Sequence, residues 1–94
     1  PRERRVIGFV AGATGYVGTA LVRRLAARGD RAIAHVRPDS SRRGEWEARF
    51  QALGAEPDAT PWDEEALTAT LARLRPGAVF ACLGQPLEFT AVDG

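Results

Sequence analysis

The sequence predicts an α/β fold: a parallel sheet with helices on both faces. Two observations carry that prediction. From residue 6 to residue 84, short apolar runs alternate with stretches whose apolar residues recur at helical spacing, and the connections between them are short. Strands that alternate with helices in this way are joined by right-handed crossovers into a parallel sheet.

Taken in order, residues 6–11 (VIGFVA) form a continuous apolar run, the mark of a strand buried on both faces. After a glycine-rich turn, Val17, Leu21 and Leu25 recur at helical spacing, with Arg23, Arg24 and Arg28 on the polar side. Gly29 stands where a left-handed residue closes a helix. Residues 31–36 (RAIAHV) read as a second strand, followed by the polar loop RPDSSRRGE. A second helix carries Trp46, Phe50 and Leu53 on one face and ends at Gly54. The stretch AEPDA gives a short third strand. Thr60 followed by Pro61 predicts an N-cap and a first helical position, with Asp63, Glu64 and Glu65 in the first turn. Leu67, Leu71 and Leu74 stripe that third helix, RPG stops it, and residues 78–84 (AVFACLG) form a fourth buried strand.

Composition narrows the function classes. The chain has 94 residues, 45% hydrophobic and 27% charged, with a formal net charge of +1. So even a balance gives no electrostatic case for nucleic acid or an anionic membrane. Cys82 is the one cysteine, which excludes an internal disulfide or a four-thiolate metal site and points to a reducing, cytoplasmic setting. No apolar run reaches the roughly 18 residues of a membrane span, and no secretory leader is visible. The closing stretch LEFTAVDG does not read as a natural domain end, so residues 1–94 are expected to be a single domain that is incomplete at its C-terminus.

The chemistry concentrates in GATGYVG, where Gly12, Gly15 and Gly18 lie three residues apart between the first strand and the first helix. That is where a Rossmann-type fold holds a pyrophosphate. Gly12 permits the tight exit from the strand, Gly15 lets backbone approach phosphate oxygens, and Gly18 lets the helix pack closely. The N–H groups of Tyr16, Val17 and Gly18, at the positive end of the helix dipole, are the expected donors, and the Thr14 hydroxyl can add another. All thirteen basic residues are arginine, and without a lysine a Walker-type loop cannot be completed.

The choice of dinucleotide rests on the end of the second strand. An acid there would bind both ribose hydroxyls of NAD; the chain instead has Arg37, nineteen residues after Gly18. A guanidinium forks onto a 2′-phosphate, and Ser40, Ser41, Arg42 and Arg43 follow in the same loop. NADP is therefore the expected cofactor ahead of NAD. Asp39 would reach the ribose instead if the strand ended later.

With GATGYVG after the first strand, VRPDS after the second and RPGAVFACLG at the fourth, the chain resembles the short-chain dehydrogenase/reductase superfamily. It is most similar to the extended and atypical branches, epimerase-like and NmrA-like, over nearly its whole length. The resemblance implies that Gly12, Thr14, Gly15, Tyr16, Val17 and Gly18 bind the pyrophosphate and that Arg37, with Arg42, binds the 2′-phosphate. It further implies that Asp58 contacts adenine and that Ala81, Leu83 and Gly84 line the path to the nicotinamide ribose. Oxidoreductase or epimerase chemistry follows from it, with a homodimer compatible. The family's catalytic Tyr, with a Lys four residues later, has no counterpart: Tyr16 is the one tyrosine. Hydride transfer would need residues beyond Gly94; the alternative is an NADP-sensing regulatory domain of NmrA-like type, without chemistry.

Other residues read as structural. His35 is expected to pack within its strand, and Cys82 to act as a small buried hydrophobe. Trp46 and Trp62 are expected to begin helices and pack, and the acids at 63–65 to serve the helix start rather than a metal.

Overall fold

The computed structural model describes residues 6–81. Within them the chain runs β1 (Ile7–Ala11), α1 (Tyr16–Ala27), β2 (Arg31–His35), α2 (Arg43–Ala52), β3 (Glu56–Asp58), α3 (Glu64–Leu74) and β4 (Ala78–Ala81). The four strands form one sheet in the order β3-β2-β1-β4, and every pairing is parallel. This is the α/β, Rossmann-like arrangement the sequence predicts.

Strand alternation sends successive side chains to opposite faces, and the two faces bury different helices. Val10, Ala32, Ala34 and Val36 meet Val22 and Leu25 of α1 and Phe50 of α2, with Leu21, Trp46, Leu53 and Phe80 packed around them. Phe9, Ala11 and Ile33 face the other way, against Leu67, Leu71 and Leu74 of α3. The strand order accounts for this division. The chain steps outward from β1 to β2 to β3, then returns past β1 to β4; with right-handed crossovers, the reversal carries α3 to the opposite face.

Left-handed backbone closes each helix. Gly29 (φ 85°) follows α1 and Gly54 (φ 89°) follows α2, where glycine accepts that conformation without a steric penalty. At the end of α3 the C-cap is Arg75, at φ 52°, just before the proline that forbids continuation.

The start of α3 corrects the sequence reading. The N-cap is Asp63, whose Oδ1 accepts from the Ala66 N–H at 2.8 Å, and the helix begins at Glu64. Thr60 is occupied elsewhere: its hydroxyl lies 2.8 Å from that of buried Thr70. Glu64 and Glu65 then fill the first turn, as the helix dipole favours. The tryptophans also sit differently. Trp46 lies inside α2, stacked on Phe50 at 5.6 Å, and Trp62 precedes α3 and is partly exposed.

His35 is packed, as expected. It is 1% exposed, with its ring 5.9 Å from Phe9 and 5.2 Å from Trp62. At the sheet's opposite end Arg31 forks onto Glu56, with Nε and Nη2 at 2.6 and 2.9 Å from the two carboxylate oxygens. That hydrogen bond, and the negative charge behind it, push the Arg31 guanidinium above its ordinary range. Pro57 occupies the middle of the edge strand β3. None of the described helices is long and apolar enough to cross a membrane.

Candidate dinucleotide-binding site

Because all four strands are parallel, their C-terminal ends lie along one edge, and the predicted site residues gather there. Ala11 is level with Ala81, and His35 with Asp58. Gly12 leaves β1 at this edge, Arg37 follows β2, and Asp58 and Ala81 end β3 and β4. Strands lie about 4.8 Å apart, so the row from β3 to β4 spans roughly 14 Å. The strand order reverses between β1 and β4, and the crevice at such a switch point is where open α/β sheets take their ligands. Leu83 and Gly84 lie outside the described residues, as does Cys82.

The three glycines perform three distinct tasks. Gly12 takes φ 74°, a left-handed turn at the strand exit, and its carbonyl accepts the Gly15 N–H at 3.3 Å. A Cβ on Gly18 would stand 2.3 Å from the Gly12 oxygen and 2.8 Å from the Ala13 Cα, so the helix lies directly on the turn. Gly15 differs from both. Its φ is −79°, open to any residue, and a Cβ there would meet only the Gly12 oxygen, at 3.7 Å. Neither backbone nor packing demands glycine at 15. What its missing side chain leaves free is the space over the helix N-terminus.

That N-terminus suits an anion. Gly15, the N-cap of α1, supplies no side-chain hydrogen bond, and the first turn of α1 contains no acid. By contrast α2 has Glu45 in its first turn, and α3 has Asp63, Glu64 and Glu65. Exposed Tyr16 and Val17, 91% and 63% accessible, leave the turn open to solvent. A groove of about 300 Å³ continues from Thr14 and Gly15 past Thr19 to Arg23 and Trp46. The donor set and the cradle therefore fit a pyrophosphate.

The remaining predicted residues are held as follows. Arg37 is 66% exposed and 3.7 Å from Asp39, a loose surface pair that leaves its fork available. Arg42 is more engaged: its guanidinium binds Glu45 at 2.9 Å and lies 5.9 Å from the Trp46 ring. Arg43 is held by Glu47 at 2.9 Å. One Asp58 carboxylate oxygen accepts the Thr60 N–H at 3.1 Å, and the Thr60 carbonyl in turn meets His35 Nε2 at 2.9 Å.

Two residues of this region escaped the sequence reading. Thr19 donates its hydroxyl to the Ala13 carbonyl at 2.9 Å, joining the helix to the turn; a hydroxyl residue directly after the third glycine was the available signal. Trp46 reaches the groove from α2, a long-range placement without a local signal.

Fold, switch point and glycine cradle together define a nucleotide-binding α/β domain, and comparison with known proteins specifies it. Residues 9–90 match the model of the NAD dependent epimerase/dehydratase family, and the chain belongs to that family. It is also similar to an acetoacetyl-CoA reductase of Cupriavidus necator, 39% identical over 62 residues, which is 61% of this chain. The match spans a quarter of that relative's length. A nicotinamide dinucleotide is accordingly the cofactor class of this domain.

Proposed function

We propose that the protein binds NADP(H), in preference to NAD(H), as the cofactor-binding portion of a short-chain dehydrogenase-like oxidoreductase or epimerase-like enzyme. The observation that carries the proposal is the pairing of two features on one sheet edge: an acid-free helix N-terminus left open by Gly15, and Arg37 just past β2.

In this reading the N–H groups of Tyr16, Val17 and Gly18 hold the pyrophosphate, with the Thr14 hydroxyl beside them. Gly12 and Gly18 shape the turn. Arg37 grips the 2′-phosphate, and Arg42 joins it by giving up Glu45. Asp58 meets the adenine, and Ala81 lies on the way to the nicotinamide ribose. The cofactor supplies a hydride carrier; the chain supplies its grip and orientation.

Isothermal titration tests the proposal directly. Binding of NADPH at least tenfold tighter than NADH is the expected result. Equal affinities would remove the 2′-phosphate assignment, and no binding of either would remove the function.

A further inference from the structure

The Thr19–Ala13 hydrogen bond has a consequence for the cradle's donors. A trans peptide is planar, with its C=O and N–H pointing in opposite directions. The Thr19 hydroxyl, at 2.9 Å, draws the Ala13 carbonyl towards α1. The Thr14 N–H of the same peptide unit is thereby aimed away from that contact. It has no hydrogen-bond partner among the described residues. The preceding carbonyl is turned inward as well: the Gly12 oxygen accepts the Gly15 N–H and lies 2.3 Å from where a Gly18 Cβ would stand.

We propose that Thr19 is a positioning residue for the pyrophosphate, holding the Ala13–Thr14 peptide so that a carbonyl faces the helix and the Thr14 N–H faces the anion. The inference rests on the dinucleotide-binding function proposed above. Its physical content is twofold. A carbonyl dipole turned towards a phosphate would repel it, and the hydroxyl prevents that turn. One backbone donor is added to those of the helix, set in place before the ligand arrives, so that binding does not have to order it. Thr19 touches no phosphate itself; it acts through the peptide it holds.

The test compares wild type, Thr19→Val and Thr19→Ser by titration with whichever of NADPH and NADH binds tighter. Valine keeps the shape and removes the hydroxyl, and an affinity loss of about tenfold is expected from a single hydrogen bond of this kind. Serine keeps the hydroxyl and should restore affinity to within about threefold. Wild-type affinity in the valine variant, or a serine variant as weak as valine, overturns the proposal. A second measurement needs no variant: in a ¹⁵N–¹H spectrum of the wild type, the Thr14 amide proton should move downfield when NADP⁺ is added. An unmoved Thr14 amide in protein that binds the dinucleotide overturns it too. Wild type that binds neither dinucleotide overturns the function itself, a result distinct from either failure of Thr19.

Discussion

His35 donates from Nε2 to the carbonyl of Thr60, 2.9 Å away, and so ties the second strand to the loop that follows the third. The carbonyl can only accept, which puts a proton on Nε2. The loop held in this way includes the Thr60 N–H that binds Asp58 and the Thr60 hydroxyl that meets Thr70. Replacing His35 with Leu keeps apolar bulk against Phe9 and Trp62 and removes the donor. Urea unfolding should show a loss of about 1–3 kcal/mol, with the fluorescence of Trp62 altered. Unchanged stability would show the Thr60 carbonyl to be equally well served by water.

Gly15 and Gly18 should respond in opposite ways to the same substitution. Gly18→Ala drives a methyl group onto backbone at 2.3 Å and should destabilise the fold by about 1–3 kcal/mol or more. Gly15→Ala meets ordinary contact at a permissive φ. There the poorer N-cap and the stiffer unfolded chain nearly offset each other, leaving stability within about 1 kcal/mol. Dinucleotide affinity should nevertheless fall in Gly15→Ala, because the methyl group occupies the phosphate's space. Thermal unfolding alongside titration separates the two, and full affinity in Gly15→Ala would refute the cradle.

Arg37→Asp tests the coenzyme preference. Exchanging a 2′-phosphate fork for a carboxylate should weaken NADPH by about 1–3 kcal/mol and favour NADH relative to it. The pair with Asp39 is too exposed to complicate stability. An unaltered ratio of affinities would show that the arginine faces solvent alone.

Asp63→Ala should cost about 0.5–2 kcal/mol, the usual value of an N-cap side chain. Circular dichroism through a denaturant titration measures it. A larger loss from Thr60→Ala would follow from its hydrogen bond to Thr70, and a double substitution measures how far the two neighbouring contacts at this helix start are coupled.

How far the sequence spoke for itself varied with the range of the interaction. Apolar runs and glycine punctuation suffice for β1, β2, α1 and α2, because burial on both faces and left-handed closure are local demands that Val10 or Gly29 expresses alone; the fourth strand forms where its apolar run predicts, at Ala78–Ala81, yet it lies at the sheet edge and is only partly buried, with Val79 exposed. Gly12 and Gly18 were legible for the same reason: a strand exit and a helix packed on it leave little choice of residue. The start of α3 was not. The pattern Thr60-Pro61 reads as the cap, with Asp63 in the first turn, yet the cap is Asp63, three residues on, because Thr70, ten residues from Thr60, takes the Thr60 hydroxyl. The groove wall at Trp46 belongs to the same class. It depends on α2 packing beside α1, a relationship carried by Phe50 and the sheet rather than by anything near residue 46.

Pro57 gives the sheet a direction of growth. The Asp58 carbonyl accepts from Val36, so the backbone groups of Asp58 point to β2 and those of Pro57 point outward. A proline has no N–H to offer there, and the outer rim of β3 is deprived of its central donor. Neither a neighbouring strand nor a stray chain can zip onto that rim in regular register. Any strand that extends this sheet pairs along β4, beside the switch point, so the rim at β3 is sealed and the rim at β4 is the one that can be built upon.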